Sequence, residues 1–237
     1  MMRTLCVDIG GSGTKVIVVD ENGKPLSERA RVETPRPATP ESIINAIAEL
    51  SKSQGRFERV SVGFPGVVKD GVIHTAQNLD ASWIGFNIHD GIGKALRKPV
   101  RAANDADVQG MAVISGRGLE LVITLGTGLG SALFVQGNLA PNLELAHHPF
   151  QKNRTYEERL GDHALQKVGA KKWNRRVQEM LVQLEALFNY DHLYLGGGNA
   201  KKLEGPFREN VSVVSNIAGL LGGAWLWRSE DPPPPLR

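Results

Sequence analysis

Asp105 is the first residue whose setting suggests chemistry. It stands in Asn104-Asp105-Ala106-Asp107, after the short apolar run 100–103 and before a helical pattern reaching about Ser115. A carboxylate at such a junction sits near a helix N-terminus at an edge of the sheet. There it can take a proton from a substrate hydroxyl, as the general base of a phosphoryl transfer does. The pattern fits an N-cap aspartate equally well. Asp107 has the same ambiguity and reads more simply as structural. Glu144 and His147 lie three residues apart in a polar loop. Such a pair can bind neighbouring sugar hydroxyls, or it can simply be solvated. His147-His148 is a poor metal site, because neither a cysteine nor a histidine one helical turn away accompanies it. Asp8 is a carboxylate inside an apolar run, so burial demands a partner for it: Mg²⁺, hydrated or not, or the N–H groups of the next turn. Lys15, just past that turn, can reach a phosphate or be an exposed strand residue.

These groups need stiff elements to hold them. The stretch 5–19 is an apolar run, a turn with Gly10, Gly11 and Gly13, and a second apolar run. This is the pattern of two strands joined by a tight hairpin. The stretch 121–135 repeats it, with Gly126, Thr127 and Gly128 at the turn and Gly130 beyond. Such a turn aims backbone N–H groups into a concavity that suits a phosphate oxygen. Two copies imply a duplicated architecture with two anion grips facing each other across a cleft. A third cluster, Gly196-Gly197-Gly198, follows the apolar run 192–195. It fits an anion site before a helix, or only a tight turn.

Between these stretches the remaining elements follow in order. Residues 24–32 supply a third strand. The three prolines of 34–40 exclude helix and central strand. Thr39 then caps a helix with Pro40 at its first position. A buried strand over 60–64 ends in a sharp turn, a small hairpin spans 67–73, and 75–83 is an ordered loop. A helix covers 88–96. Residues 139–155 read as irregular, with helices over 156–168 and 171–188. A strand near 211–214 and a helix over 216–227 close the fold, and the proline run 232–235 marks a disordered tail.

The single cysteine, Cys6, excludes an internal disulfide and a multi-cysteine zinc site. No apolar run is long enough to span a bilayer, and Met1-Met2-Arg3 leads straight into a strand, so the expectation is a cytoplasmic protein without a membrane segment. The net charge of +3 is mild, but cations cluster at Lys171-Lys172, Arg175-Arg176 and Lys201-Lys202. Such clusters suit a polyanion. Nucleic acid is disfavoured, because no helix-turn-helix or aromatic-rich motif accompanies them.

DIGGSGTK, NDAD, ITLGTGLGSALF and LYLGGG, in that order, resemble the ROK sugar kinases of the actin and hexokinase superfamily. TPRPATP, FPGVVKDGVIHTAQNLDASWIG, PNLELAH and YLGGGNAKK are most similar to the polyphosphate glucokinases of that family. The resemblance implies an α/β fold of two actin-like, ribonuclease H-like lobes around a central cleft. It places residues 1–110 in the N-terminal lobe and 111–214 in the C-terminal lobe. A last helix, 215–228, packs back on the first lobe, and 229–237 form the tail. It implies phosphoryl transfer from polyphosphate, with ATP as a further donor, to the 6-hydroxyl of glucose, with Mg²⁺. Asp105 becomes the catalytic base, and Asn78, Asn104, Glu144, His147 and Glu157 hold the sugar. The phosphates fall to Asp8, Gly10, Gly11, Gly13, Lys15, Gly126, Thr127 and Gly128, with Gly196, Gly197, Gly198, Lys201 and Lys202 at the far corner. The region 151–156 has no cysteine, so no structural zinc is expected and His147 is positioned by packing and hydrogen bonds. A strictly ATP-dependent hexokinase is the nearest rival. A sugar-responsive regulator would need a DNA-binding domain ahead of the first strand, and a non-catalytic sugar-binding protein would not need Asp105. Relatives often dimerise, so a homodimer is possible.

Overall fold

The computed structural model describes residues 2–214 and 218–227. Strands β1 (Thr4–Ile9) and β2 (Gly13–Val19) form the first hairpin, with Thr4 opposite Val19 and Ile9 opposite Thr14. The third strand starts later than its sequence suggests, with β3 at Ala30–Glu33. Asp20 Oδ1 accepts from the N–H groups of Asn22 (2.9 Å) and Lys24 (2.8 Å), and Ser27 Oγ accepts from Val18 N–H (2.9 Å). These side chains supplement a short backbone pairing, in which Asp20 N–H donates to the Lys24 carbonyl (2.9 Å) and Leu26 N–H to the Val18 carbonyl (2.8 Å). Helix α1 (Pro40–Ser51) begins as read, with Thr39 Oγ1 accepting from Ser42 N–H at 3.3 Å and Ile43 and Ile47 buried.

Strand β4 (Arg59–Phe64) is followed by the small hairpin β5 (Val68–Lys69) and β6 (Val72–Ile73). The loop after it ends in a 3-10 turn, Ala81–Trp83. Trp83 is fully buried, packs tilted against Phe64 (ring centroids 5.0 Å apart) and edge-to-face with Phe86 (5.4 Å), and donates through Nε1 to the Ala38 carbonyl at 2.9 Å. A large buried aromatic of this kind is worth roughly 3–5 kcal/mol, so the loop carrying Gln77 and Asn78 is tied firmly to the core. Helix α2 (Ile88–Leu96), strand β7 (Val100–Asn104) and helix α3 (Asp105–Met111) complete the first half. Helix α3 stops short of Ser115. The N–H groups of Ser115, Gly116 and Arg117 donate instead to the Glu120 carboxylate, at 2.6, 2.7 and 3.1 Å.

Strands β8 (Leu119–Leu125) and β9 (Leu129–Val135) form the second hairpin, and β10 (Asn138–Ala140) follows. The region read as irregular is more ordered than expected. Besides β10 it holds a 3-10 turn, Leu145–His147, and the ribbon of β11 (Pro149–Gln151) and β12 (Arg154–Thr155). The single helix expected over 156–168 is two, α4 (Tyr156–Leu160) and α5 (Asp162–Val168). The break is at Gly161, whose extended backbone lets Asp162 N–H donate to the carbonyls of Gly126 (2.9 Å) and Thr127 (3.3 Å). The long helix α6 (Ala170–Phe188) buries Trp173, Val177, Met180, Leu181 and Leu184, while Leu187 near its end is 62% exposed.

Strands β13 (His192–Gly196) and β14 (Val211–Val213) precede α7 (Ala218–Leu221), which continues as a 3-10 helix, Gly222–Trp227. One continuous helix was expected there. Gly222 lies so close to α3 that a Cβ would overlap the Val108 carbonyl. The tail 229–237 falls outside the described residues.

The two sheets have one topology. The first runs β3-β2-β1-β4-β7 and the second β10-β9-β8-β13-β14. In each, the first three strands are antiparallel and the last two run parallel to the central one. Each sheet has its own core, one around Phe64, Trp83 and Ile43, the other around Trp173, Met180 and Leu121. Helix α3 packs on β4 of the first sheet and on β9 of the second, so it lies between them. The segment 218–227 returns to the first sheet, where Ser61 Oγ donates to the Gly223 carbonyl (2.5 Å) and Trp227 Nε1 donates to Ser61 Oγ (2.9 Å). No helix among the described residues is long and apolar enough to cross a membrane.

Candidate active site

A cleft of about 480 Å³ opens between the sheets, at the C-terminal ends of β4, β7 and β13. In open α/β sheets this is where ligands bind. Asp105 lines it, flanked by Gly10 and Gly11 of the first hairpin and Gly126, Thr127 and Gly128 of the second. Asn78, Asn104, Glu144, His147 and Glu157 line it as well, and so do Gly197 and Gly198. Gly13, Lys15, Asp8, Gly196, Lys201 and Lys202 do not.

The doubt over Asp105 turns on its neighbour. Asn104 is the N-cap of α3, its Oδ1 accepting from Ala106 N–H at 2.8 Å. Asp105 Oδ1 also receives that N–H at 2.8 Å, but the helix does not depend on it. Burial at the cleft floor pushes the Asp105 carboxyl from 3.8 up to about 7, and the negative charge of Asp8 adds to the rise. The Ala106 N–H pulls the other way, and Asp107 and Glu144 contribute smaller upward shifts. A carboxyl near neutrality is suited to proton transfer at ordinary pH.

Asp107, in the first turn of α3, is buried, and burial also pushes its carboxyl up to about 7. Its Oδ2 accepts from Asn142 N–H at 3.3 Å, while Oδ1 has no partner among the described residues. Asn142 in turn pairs with both backbone groups of Val68, accepting at 3.2 Å and donating at 3.3 Å. This carries the second half of the chain onto the β5–β6 hairpin. Asp107 is not among the residues that line the cleft.

Glu144 precedes the 3-10 turn Leu145–His147 and His147 ends it, with Glu144 Oε2 3.6 Å from His147 Nε2. His147 Nε2 also lies 2.6 Å from Gln77 Nε2, across the cleft. Which of the two donates depends on the tautomer of the ring. Burial raises the Glu144 pKa, the His147 imidazole opposes the rise, and Glu157 adds to it. Glu157 Oε2 accepts from Leu129 N–H at 3.3 Å, so it braces the start of β9. Asn78 has a left-handed backbone (φ 62°), and its Cβ would lie 3.0 Å from one added to Gly11. Asn104 Nδ2 donates to the Gly66 carbonyl at 3.2 Å, which ties the end of β7 to the turn after β4.

Three expectations change. Asp8 was expected to need a metal or the turn's N–H groups. Its Oδ2 pairs instead with Lys15 Nζ at 2.6 Å, because the two residues face each other in the β1–β2 register. Lys15 is thereby occupied rather than extended into the cleft. The third glycine cluster does not open a helix; only the 3-10 turn Ala200–Lys202 follows, so Gly196–Gly198 gain no helix dipole. Arg176, grouped with the basic clusters, is buried and donates through Nη1 to the Arg159 carbonyl at 3.0 Å. Among the described residues, no cluster of three His, Cys, Asp or Glu side chains could hold a metal ion. Ser12, Arg36, Gln77 and Gln109 also line the cleft and were not singled out from sequence. Arg36 and Gln77 come from loops without periodicity; the three prolines around Arg36 were the only local signal.

Two α/β lobes of one topology, closed on a polar cleft that both halves line, define the actin-like architecture of the sugar kinases. The chain belongs to the ROK family, whose model matches residues 4–142. It is 36% identical over 235 residues to the polyphosphate glucokinase of Mycobacterium tuberculosis (strain CDC 1551 / Oshkosh), covering 92% of this chain and 88% of that one. It is 35% identical to the polyphosphate glucokinase of Mycobacterium leprae (strain TN), over 94% of this chain and 74% of that one. Among solved structures, the inorganic polyphosphate/ATP-glucomannokinase of Arthrobacter sp. strain KM superposes with a TM-score of 0.86 at 34% identity, covering 95% of this chain and 98% of that one. The ROK glucokinase of Streptomyces griseus, solved with glucose and AMPPNP, shares the fold with a TM-score of 0.80 at 22% identity, over 94% and 98% of the two chains.

Proposed function

We propose that this protein is a glucokinase that moves a phosphoryl group from inorganic polyphosphate, and from ATP, to the 6-hydroxyl of glucose. The observation that carries the reading is the position of Asp105, near neutrality, between two glycine hairpins in one cleft. The relatives named above supply the donor and the sugar. In this reading Asn78, Asn104, Glu144, His147 and Glu157 hold the sugar hydroxyls. The backbone of Gly10, Gly11, Gly126, Thr127 and Gly128 faces the phosphates. Asp105 takes the proton of the 6-hydroxyl. The oxygen so freed forms the new P–O bond, the bridging P–O bond of the donor breaks, and its electron pair leaves with the shortened donor.

Mg²⁺ bound with the donor would supply neutralising charge at the transferring group. Mg²⁺ keeps several waters and is held mainly by the phosphates, so it would need no carboxylate released from the Asp8–Lys15 pair. A long donor also needs positive charge beyond its last phosphate. Lys171, Lys172 and Arg175 are exposed at the start of α6, as are Lys201 and Lys202 beside them. The Asn174 side chain joins the two groups by donating to the Lys202 carbonyl at 2.9 Å. Gly198, which lines the cleft, is three residues before Lys201. A cytoplasmic setting agrees with a lone, buried Cys6.

The test is a panel of donors and sugars on the purified protein. Glucose 6-phosphate should form with polyphosphate, and the apparent affinity for polyphosphate should fall steeply as ionic strength rises. Turnover with ATP and none with polyphosphate would transfer the assignment to an ATP-dependent hexokinase. Two further results are expected. Ionised Asp105 is the active form, so kcat/KM should rise with pH through about 7 and level off above it, in a profile of rate against pH. Glu144→Gln should raise the glucose KM by about tenfold or more, with the donor KM changed by less than about twofold, because it removes an acceptor for a sugar hydroxyl. A defect confined to the donor would contradict that role.

A further inference from the structure

We propose that Arg36 holds the terminal phosphoryl group of the donor. The inference rests on the phosphoryl-transfer reading above and adds a residue to it. Three features of the loop that follows β3 lead to it.

The first is charge. Among the described residues lining the cleft, Arg36 alone carries a guanidinium or ammonium group. The cleft also holds the carboxylates of Asp105, Glu144 and Glu157. A phosphoryl group carrying about −2 charge near neutral pH would meet mostly like charge there without a cation. Lys15 cannot serve, since it is held by Asp8 at 2.6 Å outside the lining. Lys201 and Lys202 lie outside it as well.

The second is availability. Arg36 takes part in none of the ion pairs among the described residues. Its Nη2 donates to the Gly11 carbonyl at 2.9 Å, which fixes the side chain on the first hairpin and leaves its other N–H groups free to meet an oxyanion. A planar guanidinium is the side chain best matched to two phosphate oxygens at once.

The third is the setting. Three side chains from one short segment take three consecutive carbonyls of the hairpin turn. Thr34 Oγ1 donates to Gly10 (2.5 Å), Arg36 to Gly11 (2.9 Å) and Arg31 to Ser12 (3.2 Å). A peptide whose carbonyl is held on one side presents its N–H to the other. The segment thus holds the carbonyl edge of 10–12, leaves the N–H groups of Gly11, Ser12 and Gly13 on the opposite edge, and sets a guanidinium beside the turn. Arg36 and the turn form one anion grip, part side chain and part backbone.

The test is steady-state kinetics of Arg36→Gln and Arg36→Lys with polyphosphate and, separately, ATP, together with glucose affinity measured by calorimetry without donor. Arg36→Gln should lower kcat/KM for the donor by about 10²-fold, the scale of one preorganised donor lost from a transferring group. Glucose affinity should stay within about twofold. Arg36→Lys should recover part of the loss, and millimolar guanidinium should rescue Arg36→Ala. A melting temperature close to that of the parent shows that the fold is intact. Donor kinetics of Arg36→Gln within about twofold of the parent, or a matching loss of glucose affinity, would overturn the proposal. If the parent uses ATP but not polyphosphate, the donor assignment fails while the ATP arm still reads Arg36.

Discussion

Asp105→Asn should still bind glucose but turn over about 10²–10⁴-fold more slowly, the usual cost of a missing general base. The substitution keeps the shape and the bond from Ala106 N–H, since an amide oxygen accepts as a carboxylate does. It removes only the capacity to take a proton. Calorimetry with glucose and single-turnover kinetics separate the two effects. The rise of kcat/KM through pH 7 should vanish in the variant. The same change should also stabilise the fold. The native carboxyl, raised from 3.8 to about 7, binds a proton more tightly than it does in the unfolded chain. Native stability therefore falls as pH climbs from the unfolded value through about 7 and stays low above it. Asparagine has no such cost. The variant's melting temperature should match the parent's in acid and exceed it at pH 8, by roughly 2–4 °C for each kcal/mol relieved. Near-normal turnover would remove Asp105 from the chemistry.

Gly197→Ala should disable the second hairpin. Gly197 has φ of +89°, a conformation that costs an L residue about 1–2 kcal/mol. A Cβ there would overlap the backbone of Leu125, the last residue of β8, and backbone cannot swing aside. That junction is held from both sides. Asn199 N–H donates to the Leu125 carbonyl at 2.8 Å, and Asn199 Nδ2 reaches the Gly126 carbonyl and Asp162 Oδ1, each at 3.2 Å. A wedge at Gly197 pushes Gly126 and Thr127 out of place together. A loss of roughly 3 kcal/mol or more is expected, seen as a melting temperature roughly 6–12 °C lower and a raised donor KM. Gly198→Ala is the control. A Cβ there has nothing within 4 Å, so it should melt within about a degree of the parent. Equal behaviour of the two variants would refute the close approach as the cause.

What was readable in the sequence followed physical period. Each hairpin announced itself as two apolar runs joined by glycines, and the repeat implied a duplicated architecture, which the two matching strand orders show. Asp105 could be found because a strand-to-helix junction is a local event. Its freedom from capping duty could not, since that rests on Asn104 taking the Ala106 N–H. The misread segments share one cause, tertiary contact overriding local propensity. Gly161 breaks a helix so that Asp162 can reach the second hairpin. Gly222 fits against Val108 in a place where a continuous helix with side chains would not. Lys15 was assigned to a phosphate, but strand register hands it to Asp8. Arg36 and Gln77 reach the cleft from loops, where no period marks which side chain turns inward.

A crystal soaked with glucose decides the central claim. The sugar's 6-oxygen should lie about 2.6–3.2 Å from the Asp105 carboxylate, with Glu144 and His147 on the ring's other hydroxyls and the open side toward Gly10–Ser12. Glucose bound elsewhere, or bound in the cleft with Asp105 turned away from the 6-oxygen, would contradict it.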